Sequence, residues 1–266
     1  MTGSHDTRLH ADPSSLPDPT APGGRRVLIV HAHPEPRSFT AALKDTAVNT
    51  LMARGDAVVV SDLYAQGWNP VASADDFTDR QDTDHLVYAL EQRHADTDGS
   101  LAPDIRREVD RLLWADLLIL SFPLYWYSVP AMKKGWFDRV LVSGRIYGGR
   151  RFYDRGGLAG KAALVALTLG GRERMFGPEG IHGPLEDMLR PVLRGTLGYT
   201  GMRMLPPFAA WHVPYVGEAE RRAMLADFRA YLERLDDLEP LPMPRLDAYN
   251  DAMRPRQPGA PAGEGA

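Results

Sequence analysis

The sequence predicts an α/β chain: one doubly wound, five-stranded parallel sheet with helices on both faces and a helical C-terminal extension. Three observations carry this. Short apolar runs alternate with segments of helical period along most of the chain. The stretch 117–139 passes from an apolar run through Pro123-Leu124-Tyr125-Trp126-Tyr127 into a patterned segment opened by Pro130, which reads as strand, aromatic loop and helix. The turn after the first strand lacks a GxGxxG pattern, which favours the strand order 2-1-3-4-5 over the dinucleotide-binding order.

Taken in order, residues 1–24 are rich in Pro, Ser, Asp, Thr and Gly without periodicity and read as a disordered arm. Residues 26–33 form the first strand. A polar loop with Arg37 follows, then a helix with Ser38 as N-cap and Phe39, Leu43, Ala47 and Leu51 on one face, stopping near Gly55. The free N–H groups and positive dipole end of that helix, beside Arg37, Ser38 and Thr40, make an anion site. Residues 57–61 form the second strand. A long polar excursion over 66–105, helical around 84–94, reads as an elaboration over the site or a partner surface. A helix over 105–114 leads into the third strand at 117. The fourth strand, 161–169, ends in Gly170-Gly171, where a ligand's close approach and a tight turn are equally good explanations. A helical stripe runs from Leu185 to Leu197, a fifth strand is expected over 202–210, and a strongly patterned helix over 218–238. The domain thus spans 25–238, and 239–266 is an extended, partly disordered tail.

Composition limits the function classes. A chain of 266 residues, 44% hydrophobic, fills one large core. Thirty-one basic and 35 acidic residues give a net charge of −4 with no basic block, which argues against nucleic acid or an anionic membrane as partner. With no cysteine there is no thiolate nucleophile or thiolate metal site, and any redox chemistry falls to a cofactor. No apolar run approaches the ~20 residues of a membrane span and no secretory signal is present, so a cytoplasmic protein is the default.

Three strand ends converge: 33–40 for a phosphate, 123–127 for a flat ring, 168–171 for backbone approach. Together they describe a flavin site. Trp126 taken alone would read as a core plug, and the surrounding loop, prolines and tyrosine hydroxyls favour a platform.

At these residues the sequence resembles the NAD(P)H:quinone oxidoreductases of the DT-diaphorase type, in the flavodoxin-like superfamily. The resemblance spans roughly 25–248. It rests on Arg37-Ser38-Phe39, Ser61-Asp62-Leu63-Tyr64-Ala65 with Asn69-Pro70, and Leu101-Ala102-Pro103-Asp104-Ile105. It continues through Phe122-Pro123-Leu124-x-Trp126-aromatic-x-Val129-Pro130-Ala131, Lys134-Gly135-Trp136-Phe137, Tyr153-Asp154-Arg155-Gly156, Thr168-x-Gly170-Gly171 and Gly180-Ile181-His182-Gly183. It implies a flavodoxin-like, homodimeric flavoenzyme that takes hydride from NAD(P)H and passes two electrons to a quinone in one pocket, by a ping-pong sequence. FAD is implied over FMN. His33, Ser38, Phe39 and Thr40 would hold the phosphate and ribityl part. Leu124, Tyr125, Trp126 and Tyr127, with Thr168, Leu169, Gly170 and Gly171, would bracket the ring. Arg221 would lie near the adenine half. Tyr147, with Trp126 and Tyr127, would line the pocket shared by nicotinamide and quinone, and no metal is implied.

His182 is the expected catalytic residue. On its own it would read as a cap of the following helix; within Gly-Ile-His-Gly it is placed to stabilise negative charge near flavin N1 and O2 as hydride reaches N5, and to protonate the quinone. Where the family has a tyrosine working with this histidine, the chain has Phe176. Leu169 stands for a threonine, Tyr125 for a glutamine and Gly149 for a pocket tyrosine, so the family's substrate preference does not transfer. Two other readings compete: a flavodoxin-like regulatory subunit of a membrane transporter, which would be compact and lack the 66–105 excursion, and a reductase of a flavin, azo or biosynthetic aromatic acceptor. A one-electron carrier flavodoxin fits less well, because the charge is nearly balanced.

Overall fold

The computed structural model describes residues 16–17 and 24–256; the expected arm and the end of the expected tail lie largely outside the described residues. Strands β1 (Arg26–His31), β2 (Ala57–Asp62), β3 (Leu117–Pro123), β4 (Ala162–Thr168) and β5 (Arg203–Met204) are parallel, in the order β2-β1-β3-β4-β5. This is the order the sequence predicts. β1 between Arg26 and His31, and β3 apart from Ser121, are apolar because helices cover both faces of the sheet.

Side chains alternate between two cores, as the two-residue period of a strand requires. Leu28, Val30, Leu118 and Leu120 face helices α3 (Pro103–Trp114) and α4 (Ala131–Val140). Val27, Ile29, Ile119 and Leu164 face α1 (Phe39–Ala53) and, with Phe228 and Leu232, α7 (Glu218–Glu233).

The fifth position of the sheet departs in detail from the single strand expected over 202–210. Two short strands, β5 (Arg203–Met204) and β6 (Phe208–Ala210), pair in parallel with the start and end of β4. Pro206 and Pro207 between them have no N–H to donate, so the ladder breaks there. The helical stripe of 185–197 is likewise broken, into α5 (Leu185–Met188), α6 (Arg190–Val192) and a wide turn, Leu193–Gly198, around Pro191 and Gly195. The helix read near 84–94 is α2 (Tyr88–Asp98), closed by Gly99 at φ +89°.

The 66–105 excursion is packed onto α4. Arg139 donates to Asp76 (2.9 Å), Asp104 (2.9 Å) and the Asn69 carbonyl (2.9 Å), and its guanidinium lies 4.4 Å from the Trp68 ring centroid. A Cβ on Gly135 would sit 2.0 Å from the Pro70 carbonyl oxygen, so α4 meets the excursion backbone to backbone. The tail beyond α7 is also anchored. Leu241 N–H donates to the Met204 carbonyl (2.8 Å), Leu246 N–H to Asp154 (2.9 Å), and Met243 covers Gly198. Near the N-terminus, the Trp114 indole donates to the Pro17 carbonyl at 3.0 Å and Leu16 packs on the core.

At the carboxyl end of β1, His31 is 1% exposed, with Nδ1 3.0 Å from the Ser121 hydroxyl. Burial first, then the charges of Lys133, Lys44 and His33, lower its pKa to about 3. A folded-state pKa below the unfolded value of about 6.5 means that the unfolded chain binds more protons between these values. This contribution is complete above about pH 6.5 and is lost as the pH falls toward 3. Acidification to pH 5 should remove about 2 kcal/mol. Urea melts of wild type and His31→Gln at pH 7 and 5 test this; equal pH slopes in the two proteins would refute it.

Candidate active site

The parallel register sets His31 opposite Ser121 and Pro123 opposite Thr168, so β1, β3 and β4 end together. The Ala32 amide donates to the Ser121 carbonyl (2.9 Å) and the Leu124 amide to the Thr168 carbonyl (2.8 Å), which keeps the three departing loops side by side. The hydroxyls of Thr40 and Thr168, both buried, are 2.8 Å apart and tie the first turn of α1 to the end of β4. Ser38 caps α1 by accepting the Ala41 amide at 3.1 Å.

Over this floor lies a cavity of about 230 Å³ lined by His33, Ser38, Phe39, Thr40, Leu124, Tyr125, Thr168 and Leu169, with Val213 and Pro214 at its edge. Among the described residues, no lysine or arginine lines it. Arg37 is 89% exposed and paired with Glu35 at 3.2 Å. Burial, its largest influence, holds the pKa of His33 below the ordinary imidazole value, and His33 Nδ1 accepts the Glu35 amide at 3.0 Å. An anion here would therefore meet the helix dipole and first-turn amides rather than a formal positive charge.

A second cavity, of about 250 Å³, shares Leu124, Leu169 and Gly170 with the first and is walled by Trp126, Tyr127, Gly171, Phe176 and His182. Its outer wall is a tight turn. Tyr125 and Ser128 exchange both backbone hydrogen bonds (3.1 and 3.0 Å), with Trp126 at φ +49° and Tyr127 at φ +57°. Two successive left-handed non-glycine residues cost roughly 1–2 kcal/mol each. Strain of this kind gathers at functional sites. Trp126 is 96% exposed, so it is not the core plug that its size alone would suggest.

The Gly170-Gly171 turn owes its shape to protein neighbours. A Cβ on Gly171 would stand 2.6 Å from the Phe176 ring. Both glycine carbonyls are taken by His212: its amide donates to Gly171 (2.8 Å) and its Nδ1, which must carry the proton, donates to Gly170 (2.8 Å). His212 has φ +56° and gave no sign in the sequence of this role, because it acts across 41 to 42 positions of chain.

His182 is half-buried between two rings, Phe176 at 4.9 Å and Tyr127 at 5.2 Å between centroids. The Tyr127 hydroxyl is 3.4 Å from His182 Nδ1. The loop that carries His182 folds back on itself: its amide donates to the Met175 carbonyl (2.9 Å), and a Cβ on Gly180 would meet the Met175 backbone at 2.5 Å. Arg221, exposed on α7, donates to the Val213 carbonyl at 3.2 Å, at the edge of the first cavity. Tyr147 is not brought to His182 within this chain. It lines a separate cavity of about 460 Å³ with Tyr88, Phe137, Tyr199 and Thr200. Among the described residues there is no cluster of three potential metal ligands, and no helix is long and apolar enough to cross a membrane.

Comparison with known proteins agrees with this fold. Residues 25–235 match the model of a family described as having a flavodoxin-like fold. The chain is 41% identical to ribosyldihydronicotinamide dehydrogenase [quinone] of Pongo abelii over 82% of this chain and 95% of that protein. It is 39% identical to NAD(P)H dehydrogenase [quinone] 1 of Rattus norvegicus over 82% of this chain and 80% of that one. Among solved structures, a putative quinone reductase from Klebsiella pneumoniae superposes with a TM-score of 0.84 at 35% identity, covering 91% of this chain and 98% of its own.

Proposed function

This chain belongs to the flavodoxin-like family, among its quinone oxidoreductases, and from that membership we propose that it is a flavin-dependent NAD(P)H:quinone oxidoreductase working by two-electron, ping-pong transfer. The observation that carries this reading is the continuous cleft at the three strand ends. One end offers helix N–H groups without a cationic side chain, and the other offers aromatic walls and an imidazole. That shape and polarity fit a molecule with a phosphate at one end and a flat ring at the other.

When bound, the flavin supplies the hydride-accepting and two-electron-donating chemistry. The protein's part is positioning and proton supply. Ser38 and Thr40 order the first turn of α1 around the phosphate, while Leu124, Leu169 and Gly170 bridge toward the ring. Trp126 and Tyr127 present apolar faces to a planar acceptor, and His182 holds a proton for its oxygen.

FAD is preferred over FMN in this reading because Arg221 stands beside Val213 at the open edge of the phosphate cavity. A homodimer belongs to the same reading. Tyr147 lies in the separate cavity, so it reaches a shared acceptor pocket only from a second subunit. A cytoplasmic location is the corresponding expectation.

The test is made on purified full-length protein: identify the chromophore released on denaturation and follow absorbance on anaerobic addition of NADPH or NADH. FAD that bleaches in one two-electron step and recovers with a quinone is expected. Arg221→Ala should weaken FAD about tenfold, the loss of one charged hydrogen bond, and leave FMN affinity unchanged. A flavin that neither nucleotide reduces would overturn the oxidoreductase reading.

A further inference from the structure

We propose that Tyr127 is the proton partner of His182, supplying from the turn after β3 the hydroxyl that position 176 lacks. The inference rests on the oxidoreductase reading and adds to it a positioning residue. His182 packs against two tilted rings, Phe176 and Tyr127, and of these two only Tyr127 carries a hydroxyl. Phe176 is 7% exposed, backed by Trp211 at 5.3 Å between centroids, and seated against Gly171, so it can only pack. Tyr127 has its hydroxyl 3.4 Å from Nδ1, a long contact of the sort that shortens when a catalytic site fills.

The backbone reinforces the assignment. The tight Tyr125–Ser128 turn holds Tyr127 at φ +57°, a conformation an aromatic residue adopts only under constraint. That constraint sets the phenol against the imidazole. The loop bearing the histidine is pinned independently through the Met175 carbonyl and Gly180. Both partners are thus positioned by their own backbones.

With the phenol donating to Nδ1, the neutral imidazole carries its own proton on Nε2. As Nε2–H is passed to the acceptor oxygen, Nδ1 takes the phenolic proton and the ring stays neutral. The Nδ1 proton then returns to the phenolate as Nε2 of the half-buried His182 is reprotonated from solvent, which restores the starting tautomer. One proton leaves the pair and one returns; the electrons come from NAD(P)H.

The experiment uses the full-length holoprotein, labelled with ¹⁵N-histidine, as wild type, Tyr127→Phe and the double variant Tyr127→Phe/Phe176→Tyr. The wild-type His182 ring is expected as the Nε2–H tautomer with a hydrogen-bonded Nδ1. Tyr127→Phe should shift the Nδ1 resonance, mix the tautomers and slow quinone-driven reoxidation about tenfold, a fraction of the range general acid–base catalysis covers. The double variant should recover both signals, because a hydroxyl returns on the ring at position 176, which also packs against the imidazole. An unchanged Nδ1 resonance in Tyr127→Phe, or a double variant no faster than the single one, would overturn the proposal. A wild-type protein that cannot oxidise NAD(P)H would overturn the oxidoreductase reading instead, and the resonance comparison would still decide the Tyr127–His182 pair.

Discussion

His182→Ala is expected to lower the rate of reduction by NAD(P)H about 100-fold, with flavin content unchanged. The imidazole lines the second cavity while the first turn of α1 lines the first, so under the proposed reading its removal spares the contacts that would hold a phosphate. The loop should survive the substitution, because its anchors are the His182 amide on the Met175 carbonyl and the close approach at Gly180, neither of which involves the imidazole. A lost general acid or oxyanion donor is worth about 10²–10³ in rate. Stopped-flow reduction separates this from a binding effect: the limiting rate should fall while KM for the nucleotide changes little. An undiminished limiting rate would remove His182 from the chemistry. Phe176→Tyr, which restores a second phenol beside the ring, should accelerate the same step.

Arg139→Ala is expected to destabilise the fold by about 3–5 kcal/mol, the usual cost of leaving buried carboxylates without their cation. The Arg139 side chain is 4% exposed and Asp76 only 2%. Tyr88 donates to Asp76 at 2.5 Å, and burial, with the adjoining Asp76 carboxylate, raises its phenol pKa strongly, so it remains a neutral donor and offers Asp76 a hydrogen bond but no countercharge. Arg139→Lys keeps the charge without the fork that serves Asp76, Asp104 and the Asn69 carbonyl together, and should recover only part of the loss. Urea unfolding reads both variants. A loss below about 1 kcal/mol for Arg139→Ala would mean that the excursion is held elsewhere, chiefly at Gly135 and Pro70. Tyr88 and Phe137 also line the cavity that holds Tyr147, so detachment of the excursion should disturb that cavity before it reaches His182.

Much of the architecture was legible because it is local. The apolar runs at 26–31 and 117–122 are strands buried on both faces, Ser38 caps the helix it precedes, and Pro130 starts the helix after the aromatic loop. The strand order followed from the absence of GxGxxG in the first turn, and the residues lining the first cavity lie at the ends of β1, β3 and β4 and the start of α1. Where local signals competed, the reading blurred. The apolar stripe from Leu185 to Leu197 looks like one helix, yet Pro191 and the glycines around it divide it. The run 202–210 looks like one strand, yet Pro206 and Pro207 cannot join the ladder.

His182 came as the residue to test only from the resemblance at Gly180-Ile181-His182-Gly183; the sequence by itself determined the α/β class, the order of the sheet and the three loops that form the cleft. It did so because periodicity, capping and turn residues act over a few positions. The tertiary structure decided what depends on distant chain meeting: His212 closing the glycine turn, Gly171 yielding to Phe176, Tyr147 lying in another cavity, and Tyr127 facing His182 across 55 positions. Contacts of that kind are set by packing and by the positive φ values of one short turn, and no spacing along the chain encodes them.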